Sequence, residues 1–185
     1  MSELPGFLPG VLLSIAVAVM ASGGVGRSIG TGRALAWMLL VAVGIILSAT
    51  LTPGLTDSAA DVAHRTCDLS RIGLPPLRLL LSLNDTSGNV LLFVPLGAVI
   101  GLLPRSRFRL VIVVAAIFLP AAIEGTQLLV PWLGRACESA DVIDNLTGLV
   151  MGLAVGTAAG RFILQRAPSR GRVSVAVRKS PLVAT

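Results

Sequence analysis

Long apolar stretches, separated by short polar or glycine- and proline-containing breaks, run through most of the chain. A helix rises 1.5 Å per residue, so about 20 apolar residues cross a hydrocarbon core of about 30 Å. The stretches that meet this requirement are 4–21, 34–51, 84–103, 110–130 and 142–160. The third reaches full length only if its helix begins near Asn84, with polar residues in its outer turns. The pattern predicts an all-α membrane bundle of five transmembrane helices.

The breaks predict the connecting segments. Residues 23–32 are rich in glycine and predict a flexible loop, because no strand precedes them to form a phosphate-binding loop. The polar segment 52–83 ends in a short apolar stretch, 77–83, which predicts a helix lying in the membrane interface. Residues 1–163 then form the transmembrane domain, and the arginine-rich residues 164–185 predict a disordered cytoplasmic tail.

Composition supports a multi-pass membrane protein. Of the 185 residues, 54% are hydrophobic and 13% are charged, and the mean hydropathy is +0.88. The net charge of +6 does not indicate a nucleic-acid-binding protein, because the basic residues lie in loops and the tail. Glu3 and the absence of Lys or Arg before the first span favour a retained helix over a cleaved signal peptide.

Positive charge predicts the orientation. With the amino terminus outside, most arginines, including Arg105, Arg107 and Arg109 and those of the tail, lie in the cytoplasm. The acidic residues then all lie in outer segments or the outer parts of spans. We therefore expect the amino terminus outside and the carboxyl terminus inside, with the basic tail near anionic lipid.

Two cysteines, Cys67 and Cys137, fall on the predicted outer side in different loops. An oxidising compartment favours a disulfide between segment 52–83 and the turn before the last span, and two unpaired thiols are the alternative. Two cysteines and one histidine do not make a structural zinc site, which usually takes four nitrogen or sulfur ligands. We therefore predict no cofactor and no metal site at the cysteines.

Polar side chains fall at similar depths in the last three spans. Counting residues places Glu124 roughly 9 Å, Asn89 roughly 7 Å and Asn145 roughly 5 Å below the outer boundary of the core. Buried charge is costly there, so these residues predict a polar cavity open to the outer face. The predicted binding residues are Asn89, Glu124, Gln127, Arg135, Asp141, Asp144 and Asn145.

Structural roles are the alternative for most of these residues. Ser139 can cap the last helix, Asp141 can complement its positive end, and the two asparagines can hydrogen-bond between helices. Glu124 is the strongest functional candidate, and the only catalytic one, because a carboxyl group at that depth needs a specific environment. A structural hydrogen-bonding role is the alternative for Glu124 as well.

A series of glycines continues the face of the last helix that carries Asp141 and Asn145. These are Gly148, Gly152, Gly156 and Gly160. Small residues at this spacing allow two helices to approach closely. They predict packing within the chain, with a homodimer through the same face as the alternative.

Three motifs, in this order, resemble those of the VanZ-like family of small bacterial membrane proteins. They are Asn89-Val-Leu-Leu-Phe93-Val-Pro95-Leu-Gly97, Glu124-Gly-Thr-Gln127, and the group Arg135, Asp141, Asp144, Asn145 and Gly148. Many members carry an Asp-Lys-x-x-His-Phe motif where this chain has Asn84-Asp85, so no role of that histidine is transferred. The resemblance implies a protein of the bacterial cell membrane, in a family associated with lowered teicoplanin susceptibility but with no defined reaction.

Two functions remain open. The first is a non-catalytic envelope protein whose outer cavity binds a lipid headgroup, a lipid-linked cell-wall intermediate or a partner protein. The second is an intramembrane enzyme or lipid-modifying factor, in which Glu124 acts as acid or base while Asp141 and Asp144 orient a substrate or hold a divalent cation. We favour the first, and membrane lipids are expected partners in both.

Overall fold

The computed structural model describes residues 6–53 and 66–166. The described helices are α1 (Phe7–Ile29), α2 (Arg33–Leu51), α3 (Leu77–Leu80), α4 (Asp85–Leu102), α5 (Arg107–Leu129) and α6 (Ser139–Arg166), with a 3-10 turn at Pro131–Leu133. All except α3 are long and apolar enough to cross a membrane. The predicted all-α bundle of five membrane-spanning helices is confirmed. Most of the predicted tail, residues 167–185, lies outside the described residues.

The first span is longer than predicted. α1 continues through the glycine-rich stretch to Ile29, so the prediction of a loop from Gly23 is wrong. A membrane helix satisfies its own backbone hydrogen bonds, and this outweighs the cost of about 1 kcal/mol that each glycine adds in a helix interior. The helix ends at Gly30, whose φ of 69° is the left-handed conformation that glycine adopts at low cost.

The start of α4 agrees with the prediction. Asn84 is its N-cap and accepts a hydrogen bond from the Ser87 backbone N–H at 3.0 Å. The Ser87 hydroxyl lies 3.1 Å from the Asn84 backbone N–H, which completes a capping box. The predicted interfacial helix forms only at Leu77–Leu80, where Pro76 immediately precedes it.

α4 and α6 are parallel and in close contact. Cβ atoms added at Gly148, Gly152 and Gly156 of α6 would collide with the carbonyl oxygens of Val90, Val94 and Ala98, in that order along α4. This glycine face is therefore covered by α4 of the same chain. A homodimer would have to use another surface.

The apolar core surrounds α4. Phe93, Leu96 and Ile100 of α4 are buried together with Ile46 of α2 and Ile123 of α5. Because α1, α4 and α6 run in one direction while α2 and α5 run in the opposite direction, one end of the bundle collects three helix starts and two helix ends. We call this the polar end; it is the end that the charge distribution predicts to be outside.

Candidate functional site

A short extended segment, residues 66–72, lies across the start of α6, and we call it the strap. Cys67 and Cys137, predicted to pair, form a disulfide with Cα atoms 4.6 Å apart, across a sequence separation of 70 residues. The Asp68 backbone N–H donates to the Cys137 carbonyl at 2.8 Å, and the Ser139 N–H donates to the Asp68 carbonyl at 2.8 Å. The strap is thus joined to the turn before α6 by one covalent bond and two backbone hydrogen bonds.

Arg71 fastens the far end of the strap to α6. Its Nη1 donates to Asp144 Oδ1 at 2.9 Å and its Nη2 to Asp144 Oδ2 at 2.5 Å, and Nη2 also reaches the Ala140 carbonyl at 3.3 Å. The hydrogen bond with Asp144 raises the pKa of Arg71 above its usual value. Asp144 has 0% exposure, so this ion pair closes over a fully buried carboxylate.

Ser139 also holds Arg71 against α6, and it is not the N-cap residue of that helix. It is the first residue of α6, and its hydroxyl donates to the Arg71 carbonyl at 2.8 Å. The suggested N-cap role of Ser139 is therefore wrong. The hydroxyl is used to hold the strap.

Glu124 lies beneath the turn before α6. Its side chain is buried, at 4% exposure, and its Oε2 accepts a hydrogen bond from the Glu138 backbone N–H at 2.9 Å. Cys137 and Ser139, on either side of Glu138, bond the strap. Successive backbone groups of an extended chain point in opposite directions, so the strap directs the Glu138 N–H towards Glu124.

Gln127 and Arg135 contact the end of α2. Gln127 Nε2 donates to the Thr50 carbonyl at 3.0 Å, and Arg135 Nη2 donates to the Ala49 carbonyl at 3.0 Å. Carbonyl groups in the last turn of a helix lack intrahelical partners, so both side chains complete the end of α2. They link the last turn of α5 and the turn that follows it to the end of α2.

Buried polar atoms without partners are concentrated at this end. Within the described residues, the unpartnered side-chain atoms are Gln127 Oε1, Arg135 Nε, Asn145 Oδ1 and, at the opposite end of the bundle, Thr31 Oγ1. Asn145 is only 1% exposed and Gln127 only 6%. An unsatisfied buried polar group costs about 1–3 kcal/mol, so each one calls for an explanation. We call Glu124, Gln127, Arg135, Asp144 and Asn145 the polar cluster.

The family assignment covers all of these residues. The model of the VanZ/LLP1 family matches residues 34–160. The chain belongs to the VanZ/LLP1 family. No curated protein and no solved structure matches the chain. The VanZ/LLP1 match extends from α2 into α6 and includes the strap and the polar cluster, whereas α1 precedes it.

Two predicted residues of this VanZ/LLP1 protein lie at the edge of the cluster. Asn89 is half-buried on α4, and no hydrogen bond in the described part of the chain joins its side chain to Glu124 or Asn145. Asp141 is half-buried as well, and its charge interacts with those of Glu138, Asp144 and Arg71. The polar cavity that the sequence predicted stays a prediction.

Sequence reasoning missed Arg71 in this VanZ/LLP1 protein. Arg71 is absent from the predicted binding residues, yet it is the cation that pairs with Asp144. The signal was the predicted disulfide, because Arg71 follows Cys67 by four residues and Cys137 precedes α6 by two. Pairing the cysteines places Arg71 beside the first turns of α6.

The alternative cation role of Asp141 and Asp144 finds no support in this arrangement. Both carboxylate oxygens of Asp144 accept hydrogen bonds from Arg71. Among the described residues, no group of three or more His, Cys, Asp and Glu side chains is arranged to hold a metal ion.

Proposed function

We propose that this VanZ/LLP1 protein is a non-catalytic protein of the bacterial cell membrane that binds a lipid headgroup or a lipid-linked cell-wall intermediate at its polar end. The observation that carries the proposal is a set of three buried side-chain atoms at the polar end that have no hydrogen-bond partner among the described residues, namely Gln127 Oε1, Arg135 Nε and Asn145 Oδ1. An unsatisfied buried polar group is costly, and a ligand that supplies the missing partner would remove this cost.

The missing partners match the chemistry of a headgroup. Gln127 Oε1 and Asn145 Oδ1 are acceptors that suit hydroxyl, amide or ammonium donors, while Arg135 Nε is a donor that suits a phosphate or carbonyl oxygen. A lipid headgroup or a lipid-linked sugar or peptide carries both kinds of group. The surrounding apolar helices would hold the lipid chains.

A ligand bound at the outer end would change how a glycopeptide antibiotic reaches its target at the membrane surface. A protein that holds a cell-wall intermediate or reorganises outer lipids changes what a glycopeptide antibiotic meets at the membrane surface. An envelope protein inserting a polar segment at the same end would act similarly. Lowered glycopeptide susceptibility, the property associated with the family, is the expected outcome.

A complementation experiment tests this function. Cells lacking the gene receive the native chain, Glu124→Gln, or the control Thr126→Val, whose hydroxyl bonds only the Ala122 carbonyl of its own helix. We expect the native chain and the control to restore the original teicoplanin susceptibility and Glu124→Gln to fail, at equal amounts of protein in the membrane. Full restoration by Glu124→Gln would reject the proposal.

A further inference from the structure

The strap lies over one member of the polar cluster, the Asp144 carboxylate, and over the backbone turn that bonds another, Glu124. Arg71 is the part of the strap that reaches deepest, since its guanidinium meets Asp144, which is fully buried on α6. The Arg71 side chain itself is 27% exposed, whereas that of Asp144 is 1% exposed. The guanidinium therefore separates the Asp144 carboxylate from the surroundings and is itself accessible to a ligand.

The strap has two kinds of attachment with different strengths. The Cys67–Cys137 disulfide is covalent, while the hydrogen bonds of Asp68 and the Arg71–Asp144 ion pair are reversible. When the ion pair separates, the residues after Cys67 can lift while the disulfide keeps the strap beside the turn. The strap is thus fixed at one end by the disulfide and held at the other end by an ion pair that can separate, which would allow it to open and close.

We propose that the strap is a lid over the polar cluster and that Arg71 is its latch, released when a phosphate group of the ligand replaces Asp144 as the partner of the guanidinium. This inference rests on the proposed function, because it concerns access to the same cluster. The planar guanidinium offers two parallel donors, which suit the oxygens of a phosphate as well as those of a carboxylate. The exchange breaks no covalent bond.

The latch also connects the lid to Glu124. The Glu138 N–H reaches the Glu124 carboxylate from the backbone whose neighbouring groups bond the strap. When the strap lifts, that stretch of backbone loses the Asp68 partners that orient it. Arg71 is thus a positioning residue for Glu124 as well as the first contact of the phosphate.

Hydrogen–deuterium exchange tests whether Arg71 holds the strap closed. The exchange of residues 66–72 is measured in the full-length protein, in phosphatidylcholine nanodiscs without reductant. Arg71→Gln removes the ion pair, and Arg78→Gln is the matched control, because Arg78 lies exposed on α3 outside the strap. We expect exchange to rise about tenfold or more in Arg71→Gln, since its rate follows the population of the open lid. Equal exchange in the two variants would overturn the proposal.

The native chain tests the ligand class without any substitution. Inorganic phosphate is compared with chloride at equal ionic strength, and nanodiscs containing phosphatidic acid are compared with pure phosphatidylcholine. Faster strap exchange with inorganic phosphate, absent in Arg71→Gln, would identify a free phosphate as sufficient. Acceleration by phosphatidic acid alone would identify a lipid source. No effect of either on the native strap would reject the phosphate latch.

The experiments can reject the lid hypothesis and the proposed function independently of each other. If the strap opens as expected but no lipid or cell-wall intermediate is retained by the protein, the proposed function is rejected and the lid stands. If a ligand is retained through Glu124 while phosphate and Arg71→Gln leave strap exchange unchanged, only the lid is rejected. Exchange of α4 that is unchanged in Arg71→Gln shows that the bundle of this variant is folded, and a non-reducing gel shows that its disulfide is formed.

Discussion

The Glu124 carboxylate accepts a hydrogen bond at 2.9 Å from the backbone N–H of Glu138, 14 residues further along the chain. This bond joins the last turns of α5 to the turn before α6, and the same turn is joined to the strap by a disulfide. A carboxylate in an apolar helix is thereby placed at the centre of the polar end. The proposed ligand site and the contacts between α5, α6 and the strap therefore share the Glu124 side chain.

Glu124→Gln should retain the fold. The amide oxygen of glutamine can still accept the hydrogen bond from Glu138, but a neutral acceptor is weaker than a charged one, so we expect a loss of about 1 kcal/mol in the free energy of unfolding. Glu124→Ala leaves the Glu138 N–H without its partner and should cost about 1–3 kcal/mol. Thermal unfolding in the same detergent compares the two, and an alanine variant as stable as the glutamine variant would contradict the role of this bond.

Arg71→Gln should destabilise the protein strongly. Removing one partner of a buried ion pair leaves the other charge uncompensated, which costs about 3–5 kcal/mol, and Asp144 is fully buried. We expect Arg78→Gln to unfold at nearly the temperature of the native chain. Adding Asp144→Asn to Arg71→Gln should recover part of the loss, because the unpaired charge is gone. A double variant whose loss equals the sum of the two single losses would show that Arg71 and Asp144 do not interact.

Removal of the disulfide should loosen the strap and lower stability. In Cys67→Ser/Cys137→Ser the covalent link across 70 residues is lost, and loss of a native disulfide typically costs about 2–5 kcal/mol. Unfolding of the native chain with and without reductant provides an independent measurement of the same quantity. An unchanged unfolding temperature in both experiments would mean that the two cysteines are not joined in the folded protein.

A pair of glycine substitutions tests the contact between α4 and α6. A Cβ at Gly152 would collide with the Val94 carbonyl, whereas a Cβ at Gly125 of α5 meets no atom within 4 Å. Gly152→Ala should lose about 1–3 kcal/mol through overpacking, while Gly125→Ala should gain up to about 1 kcal/mol from helix propensity. The measurement is the unfolding temperature, and equal effects would exclude the close contact.

The parts of the fold that follow from local patterns could be predicted from the sequence. Hydrophobic length predicts the five spans, and the need to cross the membrane predicts the start of α4 near Asn84. Local glycine content was misleading at Gly23, because a helix within a membrane must satisfy its own backbone. The orientation of the bundle remains a prediction from the positions of the arginines.

The residues of the candidate site could be predicted from the sequence, but their hydrogen-bond partners could not. Counting residues along the helices indicates that Glu124 and Asn145 lie at a similar depth in the membrane. It does not indicate which groups their side chains hydrogen-bond. The partners of Gln127 and Arg135 are backbone carbonyls of α2, and such groups are present at every helix end. Only the packing of α2 against the turn after α5 selects them. Arg71 depends on a segment with no regular secondary structure, for which periodicity gives no signal.

The central claim is that the polar cluster holds a ligand through Glu124, and retained lipid tests it most directly. The native chain, Glu124→Gln and Thr126→Val are purified from the same membranes in mild detergent and compared by native mass spectrometry. The account predicts a lipid or lipid-linked molecule bound to the native chain and to Thr126→Val, reduced by about tenfold or more in folded Glu124→Gln. Equal retention by all three, or no retained molecule on the native chain, would contradict it.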